Sequence, residues 1–340
     1  MRRAISIAER ARATGVSPRP WVGCVIEPGG YEGATEPRPG RHAEAVALAA
    51  AGDAARGATA YVTLEPCASP GHGPGPCARA LIDAGVARVV VGIGDPDQHA
   101  AGQGIADLRA AGVDVEVGVE ADAVREQLAP YLKHRTTGRP LVTLKLAATV
   151  DGRTAAPDGS SKWITGEAAR RDAHRLRAEH DAVLVGAGTV KADDPELTAR
   201  DADRPVARQP LRVVLGTAPA GARCQPCVEL GGPLPDVLDE LGRRDVMSVL
   251  VEGGATVAGA FHRAGLVDRY VVYLAPALLG GDDGRPLFAG PGAPVIGDAW
   301  RGRITSVTQL GDDLRLDIRH RMGQGPHLGE EGGVGAPSGK

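Results

Sequence analysis

Aromatic residues are scarce in this 340-residue chain, since tryptophan, tyrosine and phenylalanine together make up 3% of it. Proteins that bind single-stranded nucleic acids stack the bases on aromatic side chains, so the composition argues against that class. An excess of positive charge is also lacking, because the formal net charge is -3. A surface that binds a phosphate backbone needs such an excess. We therefore expect a small-molecule ligand and no nucleic-acid partner.

Cysteine is rare as well, with five residues, and no apolar run is long enough to cross a membrane. No stretch resembles a secretory signal peptide. These features predict a cytoplasmic protein with no membrane partner, whose thiols stay reduced. In such a compartment, clustered cysteines favour a metal site or catalysis over a disulfide.

The 48 glycines and 26 prolines indicate many short turns between strands and helices. The length is sufficient for two domains of about 100 to 200 residues each. In the first domain, which we place at residues 1–135, strands alternate with helices in the rhythm of a three-layer α/β/α sandwich. The predicted strands are 58–64, 87–93 and 113–119, and the predicted helices are 43–52, 77–85 and 101–111.

A break is predicted at residues 131–140, where basic and turn residues replace the periodic pattern. A second alternating series then forms a domain at 141–322, and the Gly-, Pro- and Ser-rich residues 323–340 are expected to be a disordered tail. The strands of the second domain are predicted at 141–148, 181–186, 211–215, 246–251 and 269–274, and its helices at 166–178 and 255–264.

The most informative motif is His42-Ala-Glu44, followed by Pro66-Cys67 and Pro76-Cys77. One imidazole and two thiolates are a zinc ligand set that leaves the fourth tetrahedral position open. Zinc lowers the pKa of bound water from about 15.7 to near 7, and a carboxylate two residues after the ligand His42 can carry protons. The motif predicts a deaminase of nucleobase-like rings, with Glu44 as the proton shuttle.

Three other interpretations stay open at this point. Cys67 and Cys77 could form a disulfide, with His42 in a solvated loop. The chain could be a purely reducing enzyme whose zinc site is structural, in which case His72 is the local candidate for a fourth ligand. The chain could also be a non-catalytic subunit that retains only the fold.

Residues 248–260 predict a buried strand that passes through a glycine turn into a helix. Backbone N–H groups at such a turn can hold a phosphate, although a Gly-Gly pair is at least as often only a tight turn. Several polar residues of the second half fall at predicted strand ends, where open α/β sheets bind their ligands. Taken singly, Trp163 would be a core aromatic and Arg177 a solvated helix residue.

Taken together, these motifs make the chain resemble the bifunctional deaminase-reductases of riboflavin biosynthesis, over residues 1–322. The segments that carry the resemblance lie in both halves and in the expected order. They are Pro20-x-Val-Gly-Cys24, His42-Ala-Glu44, Thr63-Leu-Glu-Pro-Cys67, Pro76-Cys77, 85–91, Lys145-Leu, Asp151-Gly-Arg153, Trp163-Ile-Thr165, Arg170-Arg-Asp172, Gly188-Thr-Val, Asp193-Asp-Pro195, Leu197, Arg200 and Val251-Glu-Gly-Gly254.

The resemblance implies a zinc deaminase that removes the 2-amino group of a diaminopyrimidinone ribosyl phosphate, and a dihydrofolate-reductase-like domain that uses NADPH to reduce the ribosyl group. Related families often form dimers, so a homodimer is also implied. By matching positions, the residues that face NADPH would be Ala147, Trp163, Thr189, Asp193, Thr217, Gly253, Gly254, Ala255 and Thr256. Those that face the reductase substrate would be Ser161, Arg177, Leu197, Arg200 and Glu252.

The chain departs from the family pattern at three places. Arg19 stands where the family usually has an asparagine that contacts the substrate, and the segment between Cys67 and Cys77 lacks the family's cation. From these two departures we expect an altered substrate, such as a dephosphorylated or specialised pyrimidine.

The third departure is a shortened segment around 216–235, from which we expect weak or absent NADPH binding and an inactive reductase domain. The Cys224-Gln-Pro-Cys227 motif in this segment suggests a redox or second zinc site. No further cysteine pair or nearby histidine completes such a site, so two ordinary loop thiols are favoured.

Overall fold

The computed structural model describes residues 1–12, 14–68, 76–97, 101–200 and 206–320. These residues form two compact units. The first unit consists of Met1–Leu141 and Arg171–Leu250, and the second of Val142–Arg170 and the described residues from Val251 onward.

The helices match the predicted helical segments closely at 43–52, 77–85, 101–111, 166–178 and 255–264. Within the described ranges, no helix is both long enough and apolar enough to cross a membrane. The helices are α1 Arg2–Arg12, α2 Ala43–Ala51, α3 Cys77–Asp83, α4 Gln103–Ala110, α5 Ala121–Gln127, α6 Ala129–Thr137, α7 Glu167–Ala178, α8 Ala187–Asp193, α9 Leu234–Arg243 and α10 Ala255–Arg263.

The strands include all eight that the sequence predicts, with ends shifted by up to two residues. They are β1 Gly23–Glu27, β2 Tyr31–Ala34, β3 Thr59–Leu64, β4 Arg88–Ile93, β5 Asp114–Val117, β6 Leu141–Thr149, β7 Arg153–Ala155, β8 Ala182–Gly186, β9 Leu211–Leu215, β10 Val228–Leu230, β11 Ser248–Val251, β12 Arg269–Ala275, β13 Arg285–Pro286, β14 Gly302–Leu310 and β15 Asp313–His320.

The first unit contains a sheet with the strand order β2-β1-β3-β4-β5, in which β3, β4 and β5 are parallel. Gly23 and Gly33 lie on opposite faces of this sheet, because Gly33 pairs with Cys24, the neighbour of Gly23. A Cβ on Gly23 would lie 2.0 Å from the carbonyl oxygen of Ala4 in α1, and one on Gly33 would lie 2.0 Å from that of Ala43 in α2. Helices therefore cover both faces, as the three-layer prediction requires.

Further strands of the first unit run in the order β10-β9-β8-β11, with β8, β9 and β10 parallel. Helix α9 contacts residues 1–141 through helix α6 and Arg139, which follows it. The imidazole Nε2 of His134 lies 3.0 Å from the carbonyl oxygen of Gly242, and Arg139 donates to both carboxylate oxygens of Asp239. Met247 packs into the same buried core as the residues of the β3 and β4 strands.

In the second unit the strand order is β6-β12-β15-β14. Strand β12 is parallel to β6 and antiparallel to β15, and β14 and β15 form an antiparallel hairpin. A separate small sheet pairs β13 with β7. The predicted mixed α/β class is therefore confirmed for both parts of the chain.

One sequence prediction about local structure is wrong. The predicted break at 131–140 is mostly helix α6, which ends at Thr137 and is followed by Gly138 in a left-handed conformation. The shortened segment around 216–235 still contains strand β10, which pairs with β9, and it runs directly into α9. The predicted tail at 323–340 lies outside the described residues.

Candidate metal centre and active sites

Three parts of the first unit bring the predicted zinc ligands together. His42 is the N-cap residue of α2, with an extended backbone, so its imidazole is positioned where the helix begins. Cys67 follows the end of β3, and Cys77 is the first residue of α3 after Pro76. The amide of Cys77 donates to the sulfur of Cys67 over 3.4 Å, and the amide of Ala78 donates to the carbonyl oxygen of Cys67 over 3.1 Å. These bonds hold the two thiols side by side.

The ligand atoms have the spacing that a zinc ion requires. The Nδ1 atom of His42 lies 3.6 Å from the sulfur of Cys67 and 3.3 Å from that of Cys77, and the three atoms lie within 4.8 Å of one another. Tetrahedral zinc with ordinary Zn–N and Zn–S bonds places a nitrogen and a sulfur about 3.5 Å apart. Both cysteines are free thiols, so the disulfide interpretation is wrong. The donor set therefore fits zinc.

Glu44 lies beside the thiols, within the first turn of α2, and its side chain is buried, at 3% exposure. Burial, together with the charge of the neighbouring Cys67, raises the pKa of Glu44 to about 7. The hydrogen bond with Cys77 lowers the pKa of Cys67 to about 4, whereas the same bond and burial raise the pKa of Cys77. The pocket thus combines a proton-carrying carboxyl with a thiolate that can bind a metal.

The sequence did not predict the role of Glu65, a buried carboxylate two residues before Cys67. Its Oε2 accepts hydrogen bonds from the amides of Asp95 and Gly102 over 3.2 and 3.0 Å, and its Oε1 accepts one from the amide of Ile105 over 3.2 Å. Glu65 therefore fixes the segment after β4 and the start of α4 against the Cys67 loop. The available signal in the sequence was an acidic residue directly after strand β3, two residues before a predicted zinc ligand.

Gly104 packs against this loop so closely that we expect Gly104→Ala to weaken zinc binding. A Cβ at this position would lie 1.8 Å from the carbonyl oxygen of Pro66, which precedes Cys67. Overpacking of this kind costs about 1 to 3 kcal/mol, and here it would shift a ligand-bearing loop. Competition with a chelator, together with thermal unfolding, measures both effects. Gly231→Ala is the control, because a Cβ there meets nothing within 4 Å; equal zinc affinity in the two variants would contradict the prediction.

The predicted reductase residues of the first unit lie around α7, α8 and the segment after α8. Arg177 donates to the carbonyl oxygen of Thr198 over 3.1 Å, and Arg200 donates to Glu196 over 2.9 Å. Leu197 is buried at φ 54°, a left-handed conformation that strains a bulky residue. Thr189 and Asp193 lie in α8, and Thr217 follows β9.

The second unit holds the other predicted reductase residues. Lys145 in β6 forms an ion pair of 3.8 Å with Glu252, whose side chain is 7% exposed. Ala147 lies in β6, and Ser161 lies close in sequence to Trp163, which is 70% exposed and stacks under the guanidinium of Arg170 at 4.6 Å. Trp163 is therefore not a core aromatic.

The glycine turn before α10 has the form expected of a phosphate cradle. Gly254 is the N-cap residue of this nine-residue helix, Gly253 precedes it, and Ala255 and Thr256 form the first turn. The amides of a helix start are not used by the helix itself and can bind phosphate oxygens. These residues fit a dinucleotide cofactor.

The Cys224-Gln-Pro-Cys227 motif shows no sign of a metal site. Among the described residues, the histidines, cysteines and carboxylates that cluster like metal ligands are His42, Cys67 and Cys77. Burial raises the pKa of Cys227 to about 11, which disfavours a reactive thiolate. His72, the candidate fourth ligand of a structural zinc site, lies outside the described residues.

Comparison with known proteins assigns each half of the chain to a family. Residues 1–93 match the cytidine and deoxycytidylate deaminase zinc-binding region, and residues 140–316 match the RibD C-terminal domain. The riboflavin biosynthesis protein RibD of Mycobacterium tuberculosis is 47% identical over 317 residues, which cover 88% of this chain and 91% of that protein. RibD of Escherichia coli is 39% identical and covers 94% of this chain and 98% of its own length.

Solved structures that are similar to this chain belong to the same family as these relatives. Acinetobacter baumannii RibD superposes with a TM-score of 0.86 at 38% identity, covering 94% of this chain and 97% of that chain. A diaminohydroxyphosphoribosylaminopyrimidine deaminase/5-amino-6-(5-phosphoribosylamino)uracil reductase from Thermotoga maritima gives 0.83 at 31% identity, with the same coverage of 94% and 97%. The chain therefore belongs to the RibD family of bifunctional riboflavin-biosynthesis enzymes, with a zinc-dependent deaminase domain and an NADPH-dependent reductase domain.

Proposed function

We propose that residues 1–135 hydrolyse the 2-amino group of a diaminopyrimidinone ribosyl phosphate, and that residues 141–322 then reduce the ribosyl group to a ribityl chain. One observation carries the first step. The side chains of His42, Cys67 and Cys77 lie at zinc-ligand distances from one another, beside the buried Glu44. The family matches at 1–93 and 140–316 support these domain limits. The Thermotoga maritima relative is named for the same two activities, a deaminase and a reductase of phosphoribosylamino-pyrimidines.

In the deaminase step, zinc held by His42, Cys67 and Cys77 supplies the Lewis acidity that makes water nucleophilic near neutral pH. A carboxylate oxygen of Glu44 accepts a proton from the attacking water and donates it to a ring nitrogen. Glu44 then accepts the proton of the newly added hydroxyl group and donates it to the amino group, which leaves as ammonia while the C–N bond breaks and the ring carbonyl forms. A carboxyl pKa of about 7 suits both directions of transfer, because the group can hold or release a proton near neutral pH.

In the reductase step, NADPH supplies the hydride, and the residues of the chain bind and orient. The groups we assign to the cofactor are Ala147, Trp163, Thr189, Asp193, Thr217 and Gly253–Thr256. Arg177 and Arg200 are assigned to the substrate phosphate, because guanidinium groups bind phosphate bidentately. Ser161, Leu197 and Glu252 complete the substrate contacts. The strained backbone of Leu197 between these two arginines supports this assignment.

The comparisons do not favour the alternatives raised by the departures in sequence. Relatives from several bacteria match both halves at 38–47% identity, which argues against a fold-retaining subunit and a specialised deaminase. The expectation of weak NADPH binding is likewise not favoured, because the shortened segment keeps strand β10 beside β9. Metal analysis and ammonia release from a panel of aminopyrimidines test the proposal. Release from the phosphorylated diaminopyrimidinone supports it, and a zinc-loaded protein that releases none would exclude it.

We also propose that the enzyme is a cytoplasmic homodimer. The free thiols of the metal centre suit a reducing compartment. Strand β14 is the edge strand of the sheet in the second unit, and its residues Ile304 and Val307 are 54% and 59% exposed. An apolar edge strand of this kind favours pairing with a second copy.

We expect light scattering to give twice the chain mass for the wild-type protein, and a smaller mass for Ile304→Asp with Val307→Asp. The matched control is Ala106→Asp with Ala110→Asp, which places the same two charges at exposed positions of helix α4. This control should keep the wild-type mass. A monomeric wild-type protein at micromolar concentration would exclude the dimer.

A further inference from the structure

Two side chains of helix α7 bind the backbone of the segment that leads to Arg200. Nδ1 of His174 lies 3.1 Å from the carbonyl oxygen of Thr198, and Nη1 of Arg177 donates to the same oxygen over 3.1 Å. A carbonyl oxygen only accepts hydrogen bonds, so Nδ1 of His174 carries a proton. The half-buried imidazole of His174 is therefore fixed along one edge.

The other nitrogen of His174 faces Arg200. Its Nε2 lies 3.4 Å from Nη2 of Arg200, whose side chain is 62% exposed. A guanidinium has N–H donors and no acceptor, so Nε2 is the acceptor and carries no proton. The two partners thus select one neutral tautomer of the ring, which donates to the backbone and accepts from Arg200.

Glu196 holds the second terminal nitrogen of Arg200. Nη1 of Arg200 donates to Oε2 of Glu196 over 2.9 Å, and the hydroxyl of Thr198 donates to the same oxygen over 3.4 Å. The guanidinium is bound at both Nη atoms, which sets its plane. Each Nη carries a second N–H, and a fork of this kind matches two oxygens of a phosphate.

The backbone next to Arg200 has further supports besides His174. The amide of Ala199 donates to Oε1 of Gln209 over 2.8 Å, and Nε2 of Gln209 donates to the carbonyl oxygen of Ala199 over 2.9 Å. The guanidinium of Arg223 forms an ion pair with Glu196. The path of the backbone therefore does not depend on His174 alone, whereas the bond to Nη2 of Arg200 is made by the imidazole.

We propose that His174 is a positioning residue of the reductase step, whose Nε2 orients the guanidinium of Arg200 toward the phosphate of the reductase substrate. This inference rests on the proposed function, which assigns Arg200 to that phosphate. A long, exposed side chain loses conformational entropy when it binds a ligand, and orienting it beforehand removes part of that cost. The orientation acts on binding and not on hydride transfer, so the expected effect is on KM rather than on kcat.

The test compares His174→Asn with His174→Gln in the full-length enzyme, assayed with NADPH and the deaminated pyrimidine ribosyl phosphate. The amide nitrogen of asparagine takes the place of Nδ1 and can still donate to Thr198, but nothing then accepts from Arg200. The amide oxygen of glutamine takes the place of Nε2 and accepts from Arg200. We expect His174→Asn to raise KM for this substrate roughly 3- to 10-fold, the effect of one lost hydrogen bond, with kcat nearly unchanged. His174→Gln should keep KM close to the wild-type value.

The order of the two variants separates positioning from support of the fold. If His174 only supports the backbone through Thr198, glutamine should be worse than asparagine, or the two should be equally impaired, and either result overturns the proposal. The KM for NADPH and the rate of deamination should be unchanged in both variants, which reports that the chain is folded.

A double variant tests whether His174 acts through Arg200. Arg200→Gln alone should raise KM for the phosphorylated substrate, and adding His174→Asn should change that KM by less than about twofold, because the group it orients is already gone. If the two single effects multiply in the double variant, His174 acts by another route and the proposal is overturned.

The outcomes also distinguish this inference from the function on which it rests. A wild-type enzyme that does not reduce the deaminated pyrimidine ribosyl phosphate excludes the proposed reductase function and the inference together. An active wild type with an unchanged KM in His174→Asn excludes the inference alone.

Discussion

Replacing Glu44 with glutamine is expected to leave zinc bound and to reduce deamination by roughly 100- to 10,000-fold. Glutamine keeps the size of the side chain but cannot accept and return a proton. The site needs that function from Glu44, which is 3% exposed and has its pKa raised to about 7 by burial. The metal ligands His42, Cys67 and Cys77 are not changed, so zinc content should stay at the wild-type level.

Ammonia release and metal analysis on the same preparation measure this effect. Glu9→Gln, on the exposed side of α1, makes the same chemical change away from the site and should behave as wild type. The reductase activity of Glu44→Gln, assayed with the deaminated pyrimidine, reports whether the chain is folded. Deamination at the normal rate by Glu44→Gln would show that the proton carrier is another group.

Cys67→Ser should remove zinc and deamination together. A serine hydroxyl is a much poorer zinc ligand than a thiolate, and the sulfur of Cys67 also accepts the amide of Cys77. We expect the loss of zinc affinity to exceed the roughly 10- to 100-fold that removal of an outer-shell partner costs. Reduction of the deaminated pyrimidine should continue, since no residue assigned to that step is altered.

Cys227→Ser provides the matched control, because Cys227 is a free thiol of the same chain outside the ligand cluster. It should retain zinc and both activities. Dialysis of the wild-type enzyme against a chelator should reproduce the Cys67→Ser phenotype, and added zinc should reverse it. Full deamination by metal-free wild-type enzyme would contradict the zinc-dependent account.

The regular elements around the zinc ligands were predictable because their sequence patterns are local. The alanine-rich helix predicted at 43–52 is α2 Ala43–Ala51, and the apolar run at 87–93 is β4 Arg88–Ile93. The C-terminal hairpin was not predicted, because the outward residues of β14 are exposed and its pattern lacks a buried face. Helix α6 was missed because the turn residues at its end, Gly138 and its neighbours, were given weight over the helical segment before them.

The zinc ligands and Glu44 were predictable for a different reason, since their chemistry requires specific residue types at short spacing. The contacts of Glu65 and Arg19 were not, because they depend on backbone groups that the fold brings in from elsewhere in the chain. Glu65 accepts amides 30 to 40 residues away, and Arg19 donates to carbonyls 17 and 21 residues away. No local pattern specifies which of those groups will be near.

The most direct test of the account is to incubate the zinc-loaded enzyme with the diaminopyrimidinone ribosyl phosphate, with and without NADPH, and to follow the products by mass. Without NADPH, the predicted product has one amino group replaced by a hydroxyl, with release of ammonia. With NADPH, the same product should gain two hydrogens. A substrate that is unchanged in mass under both conditions, or one that is reduced without being deaminated, would contradict the account.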